Sequence, residues 1–322
     1  MKIIVSAFWY AFIKGTGGIW ITKQGDAVVV DERGIKNDRR WLVVDGAYDP
    51  MMFVAQRKGS VAVPVVGSVG LPSSLGAGVE IRSMCQISSR IEGDELVLAA
   101  PDMPEFRLPL ERVVAPVVTV QVWSNASLTG VDEGKEVSEW LSEFLSRERP
   151  GTYHLVRMAT TCRRSSKNGG AIMGFHDGFP FMGISSASLG SLNGKLLSRG
   201  QDVVQMNRFR PNVVFSGCDA HAEDFFGHFR IGNVEIRGGT LCDRCAVIRT
   251  DQTTAFRHKS EPTATLATYR KGEDLLQFES YRKEVGLGIE VKPKAVFFGR
   301  NFNHLDSGVM RVGDAVEVLE ID

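Results

Sequence analysis

Two thiols three positions apart, Cys242 and Cys245 in GGTLCDRCAVIRT, are the residues in this chain whose type and spacing first raise a question of chemistry. Free cysteines often serve as small buried hydrophobes, so packing is one reading. Zinc is a second: twelve residues separate Cys245 from His258, as in a C-x2-C-x12-H site, but Pro262 and Thr263 stand where a fourth ligand would follow. A redox disulfide would need the pair at a helix N-terminus, where the dipole lowers a thiol pKa, whereas CAVIRT reads as a β-type run. A single thiolate ligating a soft metal stays open beside these.

Basic residues form a second set. In NRFRPNVVFSG, Arg208, Arg210 and Asn212 alternate, so an extended chain points all three to one face, with Pro211 at a strand's start. Two guanidinium forks and an amide suit a phosphate-bearing ligand, although from this segment alone surface ion pairs with Asp202 or Glu223 are the simpler reading. Lys14 ends an apolar strand and enters GTGG, where glycines allow close backbone approach to a ligand. Arg39 opens another strand in NDRRW. Alone, each fits a solvated strand-end charge.

These groups need a scaffold, and 322 residues can bury two cores. The 38 basic and 38 acidic residues give no net field to attract nucleic acid or membrane, so an anion must be held by a local pocket. Five cysteines at irregular spacing do not form a secreted disulfide framework, and a reducing, cytoplasmic setting is expected. The stretch Ile3 to Ile13 is too short to span a bilayer and reads as a buried strand.

Up to Trp123, short runs such as DAVVVD, RWLVVDG, DELVLAA and VVTVQVW alternate with turn clusters including VGLPSSLGAG, predicting a barrel or sandwich. Between Val131 and Glu148, Val137, Trp140, Leu141, Phe144 and Leu145 fall at helical spacing. YHLVRM follows as a strand, CRRSSKNGG as a mobile surface loop, and SSASLGSLNGKLL as a helix capped by Ser185 or Ser186. Further strands are expected at NVVFSG, FRIGNVEIRG, CAVIRT, KAVFFG and AVEVLEI. The class is mostly β with some helices, α+β.

From AFIKGTGG through DRRWLVVD, VDEGKEVSEWLSEFL, DGFPFMGISSASLGSLN, FRPNVVFSGCDAHAED and LCDRCAVIRT to RVGDAVEVL, the chain resembles the MOSC-domain molybdenum cofactor proteins, specifically the amidoxime-reducing group. The resemblance implies an N-terminal β-barrel domain with a junction helix, 1–149, and a MOSC β-barrel domain, 150–322, with molybdenum and molybdopterin in the cleft between. It implies that Cys245 ligates the metal, and that Lys14, Arg39, Arg210 and Asn212 hold the phosphate or pterin. Asp177, Gly178 and Phe179 match a loop along the pterin, Ser185 starts the next helix, and Arg208 and Arg244 are further cofactor candidates. Arg244 is expected to keep the Cys245 sulfur deprotonated. Two departures stand out: Gly15 replaces a serine after the lysine, and Asp243 replaces the serine between the cysteines.

The implied activity is reduction of N-hydroxylated compounds, namely hydroxylamines, amidoximes and N-hydroxylated nucleobases. Electrons would come from a separate carrier of the ferredoxin, flavodoxin or cytochrome b5 type with its reductase, and no membrane anchor or nucleic-acid partner is expected. Asp219, Asp243, Glu223 and Tyr269 are candidate proton donors. The rival readings are a persulfide carrier on Cys245 and a carrier or insertion protein for the cofactor without reductase activity; no fused pyridoxal-phosphate domain is expected.

Overall fold

The computed structural model describes residues 2–47, 51–56, 79–111, 116–123, 125–277 and 292–322. The turn cluster VGLPSSLGAG lies outside them. Strands Trp41–Asp45, Tyr153–Met158, Asn125–Asp132, Val117–Val122 and Met51–Ala55 pair in that order, and Met51–Ala55 closes back on Trp41–Asp45. The result is a closed five-stranded barrel. The two-residue period of these strands sends Leu42, Val44, Phe53, Val120 and Val156 into one apolar cluster. The alternate residues Trp41, Val43, Val54 and Leu155 join another, under the helix Lys135–Leu145. That helix buries Val137, Trp140, Leu141, Phe144 and Leu145, the stripe its spacing predicts.

A second sheet has eight strands, in the order Val316–Ile321, Phe226–Ile231, Val234–Asp243, Phe297–His304, Phe181–Ser185, Val213–Ser216, Ile4–Tyr10 and Ile19–Ile21. It packs on a three-stranded sheet, Gly308–Arg311, Ala27–Asp31 and Gly34–Ile35, around Phe8, Phe181, Phe215, Phe229 and Phe302. The molecule is mostly β, as expected. Two strands lie across the expected 149/150 division from the sheet that holds them. Ile4–Tyr10 pairs with Val213–Ser216, and Tyr153–Met158 pairs with Trp41–Asp45. A local pattern announces a strand but not its distant partner.

Three local expectations are corrected. NRFRPN is not extended: Met206–Arg208 is a 3-10 turn, Arg210 has φ 57°, and the strand begins only at Val213. CAVIRT is not a strand either, because Ala246–Arg249 forms a 3-10 turn directly after Cys245. CRRSSKNGG folds back as a small hairpin, with Ser165 bridged to Ile172 and Ser166 N–H donating to Ala171 O at 2.8 Å. Its Cys162 and Arg164 are buried. No helix among the described residues is long and apolar enough to cross a membrane.

Candidate functional site

Four cations gather between the barrel and the eight-stranded sheet. Lys14, on the short strand Ile13–Lys14, is buried, and its ammonium meets the carboxylate of Asp177. Burial pushes its pKa from 10.5 to about 8; Asp177 opposes the fall, while Arg164 and Arg39 add to it. Arg210 donates Nη1 to Thr16 O at 2.9 Å and Gln252 Oε1 at 3.1 Å. Burial lowers it to about 10, with Arg39 the next cause. Arg164 donates to the carbonyls of Gly174, His176 and Asp177 and is likewise pulled down by burial.

Asp38, missed in the sequence, is the hub of this cluster. Its buried carboxylate accepts from Ala11 N at 2.9 Å, Asn212 Nδ2 at 2.8 Å, His176 Nε2 at 3.1 Å and the Arg39 guanidinium. Burial alone would raise its pKa, but Arg39, His176 and the Ala11 amide outweigh it and leave about 2. His176 in turn is pushed down to about 4, chiefly by burial. The only sequence signal for this hub was an acid directly before Arg39.

Among the described residues, two carboxylates, Asp38 and Asp177, face four cations, so desolvated positive charge is in surplus there. Arg39 and Arg210 each commit only Nη1 to a protein acceptor among the described residues, leaving an Nε/Nη2 edge open. That edge matches two oxygens of a phosphate. The donor set therefore fits an anionic, phosphate-bearing group. Gly15 has φ 90°, and a Cβ there would sit 3.1 Å from Met84 Cε, so the fold favours glycine where the family's serine would stand. The other glycines of GTGG serve protein packing rather than a ligand: a Cβ on Gly17 would meet Cys85 O at 2.9 Å, and one on Gly18 would fall inside the Trp9 indole.

The thiol side is joined to this cluster through the backbone. Arg244 Nη2 donates to Phe209 O at 2.7 Å, next to Arg210, and Arg208 Nη1 donates to Arg249 O at 3.1 Å. Arg244 does not serve Cys245: its Nη1 donates to Cys242 Sγ at 3.0 Å. Burial raises the Cys242 pKa, with Arg244 opposing. The half-buried Cys245 Sγ makes no hydrogen bond among the described residues, which leaves a soft donor free for a metal. Asp243 is exposed and faces Lys292 at 3.8 Å.

The remaining expected residues make contacts of their own. Arg208 pairs with Asp251 at 3.0 Å, neither Asp202 nor Glu223. Gly178 packs against Lys167, and Phe179 covers Gly239. Ser185 is fully buried, caps the helix Ser186–Ser198 and bonds Ser188 Oγ at 2.7 Å. It lies at the end of Phe181–Ser185 opposite Met182, whose N–H donates to Asn212 Oδ1, roughly 10 Å along the strand. Asp219 is exposed nearby, its carbonyl accepting from Ser185 Oγ. Tyr269, pushed up to about 12 by burial, stacks under Lys195 Nζ at 4.6 Å.

Residues 171–317 match the model of the MOSC domain, and residues 80–148 match that of the MOSC N-terminal beta barrel domain. The chain belongs to the MOSC-domain proteins. Human mitochondrial amidoxime-reducing component 1 is 26% identical over 322 residues, covering 98% of this chain and 82% of that protein. The zebrafish (Danio rerio) protein of the same name is 34% identical over 191 residues, 57% of each chain. Among solved structures, the YUAD protein of Bacillus subtilis spans 98% of this MOSC chain and 95% of its own at 12% identity, but with a TM-score of 0.30.

Proposed function

We propose that this MOSC-domain protein is a molybdenum-cofactor-dependent reductase of N-hydroxylated compounds, converting hydroxylamines, amidoximes or N-hydroxylated nucleobases to amines with electrons from a separate redox protein. The observation that carries the reading is the surplus of desolvated cations with open guanidinium edges, tied through Arg244 and Phe209 to a segment bearing the unbonded Cys245 thiol. Lys14, Arg39 and Arg210 would hold the phosphate, and Cys245 would hold the metal. When bound, the molybdenum pterin supplies the two-electron chemistry of N–OH reduction. The names of the relatives point to the same substrate class.

This chain's own task is to position the group that carries out the reduction. Reducing an N–OH group to an amine and water takes up two protons with the two electrons. Glu223 is fully buried, and its carboxyl is pushed up by burial and by Asp224. Ser188 Oγ donates to it at 2.7 Å and links it to Ser185. Asp219 and Asp243 are exposed carboxylates, and Tyr269 holds its proton too tightly to be the better donor.

The test is metal and oxidised-pterin content of protein from a host able to make the cofactor, with turnover of an N-hydroxylated purine under a viologen reductant. Near-stoichiometric molybdenum and pterin with turnover, both lost in Cys245→Ala, is the expected result. Bound cofactor without turnover would favour a carrier. Zinc without pterin overturns the reading.

A further inference from the structure

The mechanism above assigns nothing to Trp9, an apolar-strand residue that reads as core and is 2% exposed. Yet the Arg39 guanidinium carbon lies 5.4 Å from its ring centroid and that of Arg210 lies 4.7 Å from it. Both distances are in cation–π range. The two arginines reach the indole from separate segments through left-handed backbones, φ 48° at Arg39 and φ 57° at Arg210, conformations that a non-glycine residue keeps only when its surroundings dictate them. Their like charges repel, as the depression of Arg210 by Arg39 records.

The main chain of Trp9 is pinned to the second arginine's segment: its backbone N–H donates to Asn212 O at 3.1 Å and its carbonyl accepts from Asn212 Nδ2 at 3.3 Å, while the indole packs over Gly18, where a Cβ would fall 2.0 Å from the ring. A π-face shared by two guanidinium groups offsets their repulsion while leaving both Nε/Nη2 edges open.

We infer that Trp9 is a positioning residue of the anion site, a template whose indole sets Arg39 and Arg210 in register for a phosphate-bearing ligand. This rests on the cofactor reading above but assigns a residue outside the hydrogen-bonding set. Because Trp9 acts through the arginines, its removal should weaken a multiply charged oxyanion more than a singly charged one.

The experiment is calorimetric titration of cofactor-free protein with inorganic phosphate and with nitrate, for the unsubstituted chain, Trp9→Phe and Trp9→Leu. Trp9→Leu is expected to lose about tenfold in phosphate affinity, with nitrate changed less, while Trp9→Phe keeps an aromatic face and stays within about threefold. Phosphate bound equally well by a folded Trp9→Leu, or phosphate and nitrate weakened in parallel, overturns the template. Should Trp9→Leu not fold, tryptophan emission decides: phosphate must perturb a signal in the unsubstituted protein that Trp9→Phe lacks, and its absence overturns the inference. If the unsubstituted protein binds no phosphate, the anion-site reading falls and the template with it; phosphate binding indifferent to Trp9 removes only the template.

Discussion

Lys14→Met should make the cofactor-free protein more stable and at the same time unable to hold an anion. The fall of the Lys14 pKa from 10.5 to about 8 measures how much worse its charge fares in the fold than in the open chain, about 3 kcal/mol. Methionine keeps a comparable stem and carries no charge. Asp177 loses little, because its side chain is 66% exposed and also accepts from Trp123 Nε1 at 2.7 Å. The sign follows from linkage: the unfolded chain binds the proton more tightly, so the penalty is complete below pH 8 and fades as pH rises from about 8 towards 10.5. Urea unfolding at pH 7 should therefore show the variant more stable by about 2 to 3 kcal/mol, shrinking to about 1 kcal/mol at pH 9.5. A variant less stable at pH 7, or a difference that ignores pH, would refute the account of Lys14 as a strained cation awaiting a counter-charge.

Other substitutions separate the parts of the site. Asp38→Asn should lose about 2 to 4 kcal/mol at pH 6 by leaving Arg39 without its charge partner; because the Asp38 pKa is depressed to about 2, its contribution is present above pH 4 and lost as pH falls through 2, so the gap should narrow in unfolding measured at pH 3. Gly15→Ser, which restores the family's hydroxyl, should cost about 1 to 2 kcal/mol for a left-handed backbone and the close Met84 methyl, read as a lower melting temperature. Cys245→Ser should leave the melting curve of the cofactor-free protein unchanged yet abolish metal retention. Cys242→Ala should show the converse, losing about 1 kcal/mol as Arg244 gives up a partner while metal is retained.

Most elements of this fold were legible because their signals are local. The stripe Val137, Trp140, Leu141, Phe144 and Leu145 can bury together only on a helix, and Ser185 before SASL can satisfy free N–H groups, as it does for Ser188. Where local signals misled, competing backbone states were at work. Alternation in NRFRPN assumed an extended chain, but Arg210 is left-handed, so its side chain leaves in a direction that strand periodicity does not describe. Arg244 was assigned to the neighbouring Cys245 through adjacency in sequence, whereas a long side chain reaches back two residues to Cys242 and across to Phe209.

The site itself hides for a different reason: its organising residues look like core. A buried aspartate, a tryptophan in an apolar strand and a glycine in a turn carry no motif of their own. Their meaning depends on register. Phe8 pairs with Val213, which sets Trp9 beside Asn212 and so beside Arg210, more than two hundred residues away, while Trp41 pairs with Ile13 and brings Arg39 and Lys14 to the same place. A one-residue slip in the first pairing would turn Trp9 to the opposite face and part it from both arginines. The pairing that crosses the 149/150 division is thus the same pairing that gives Arg210 its indole.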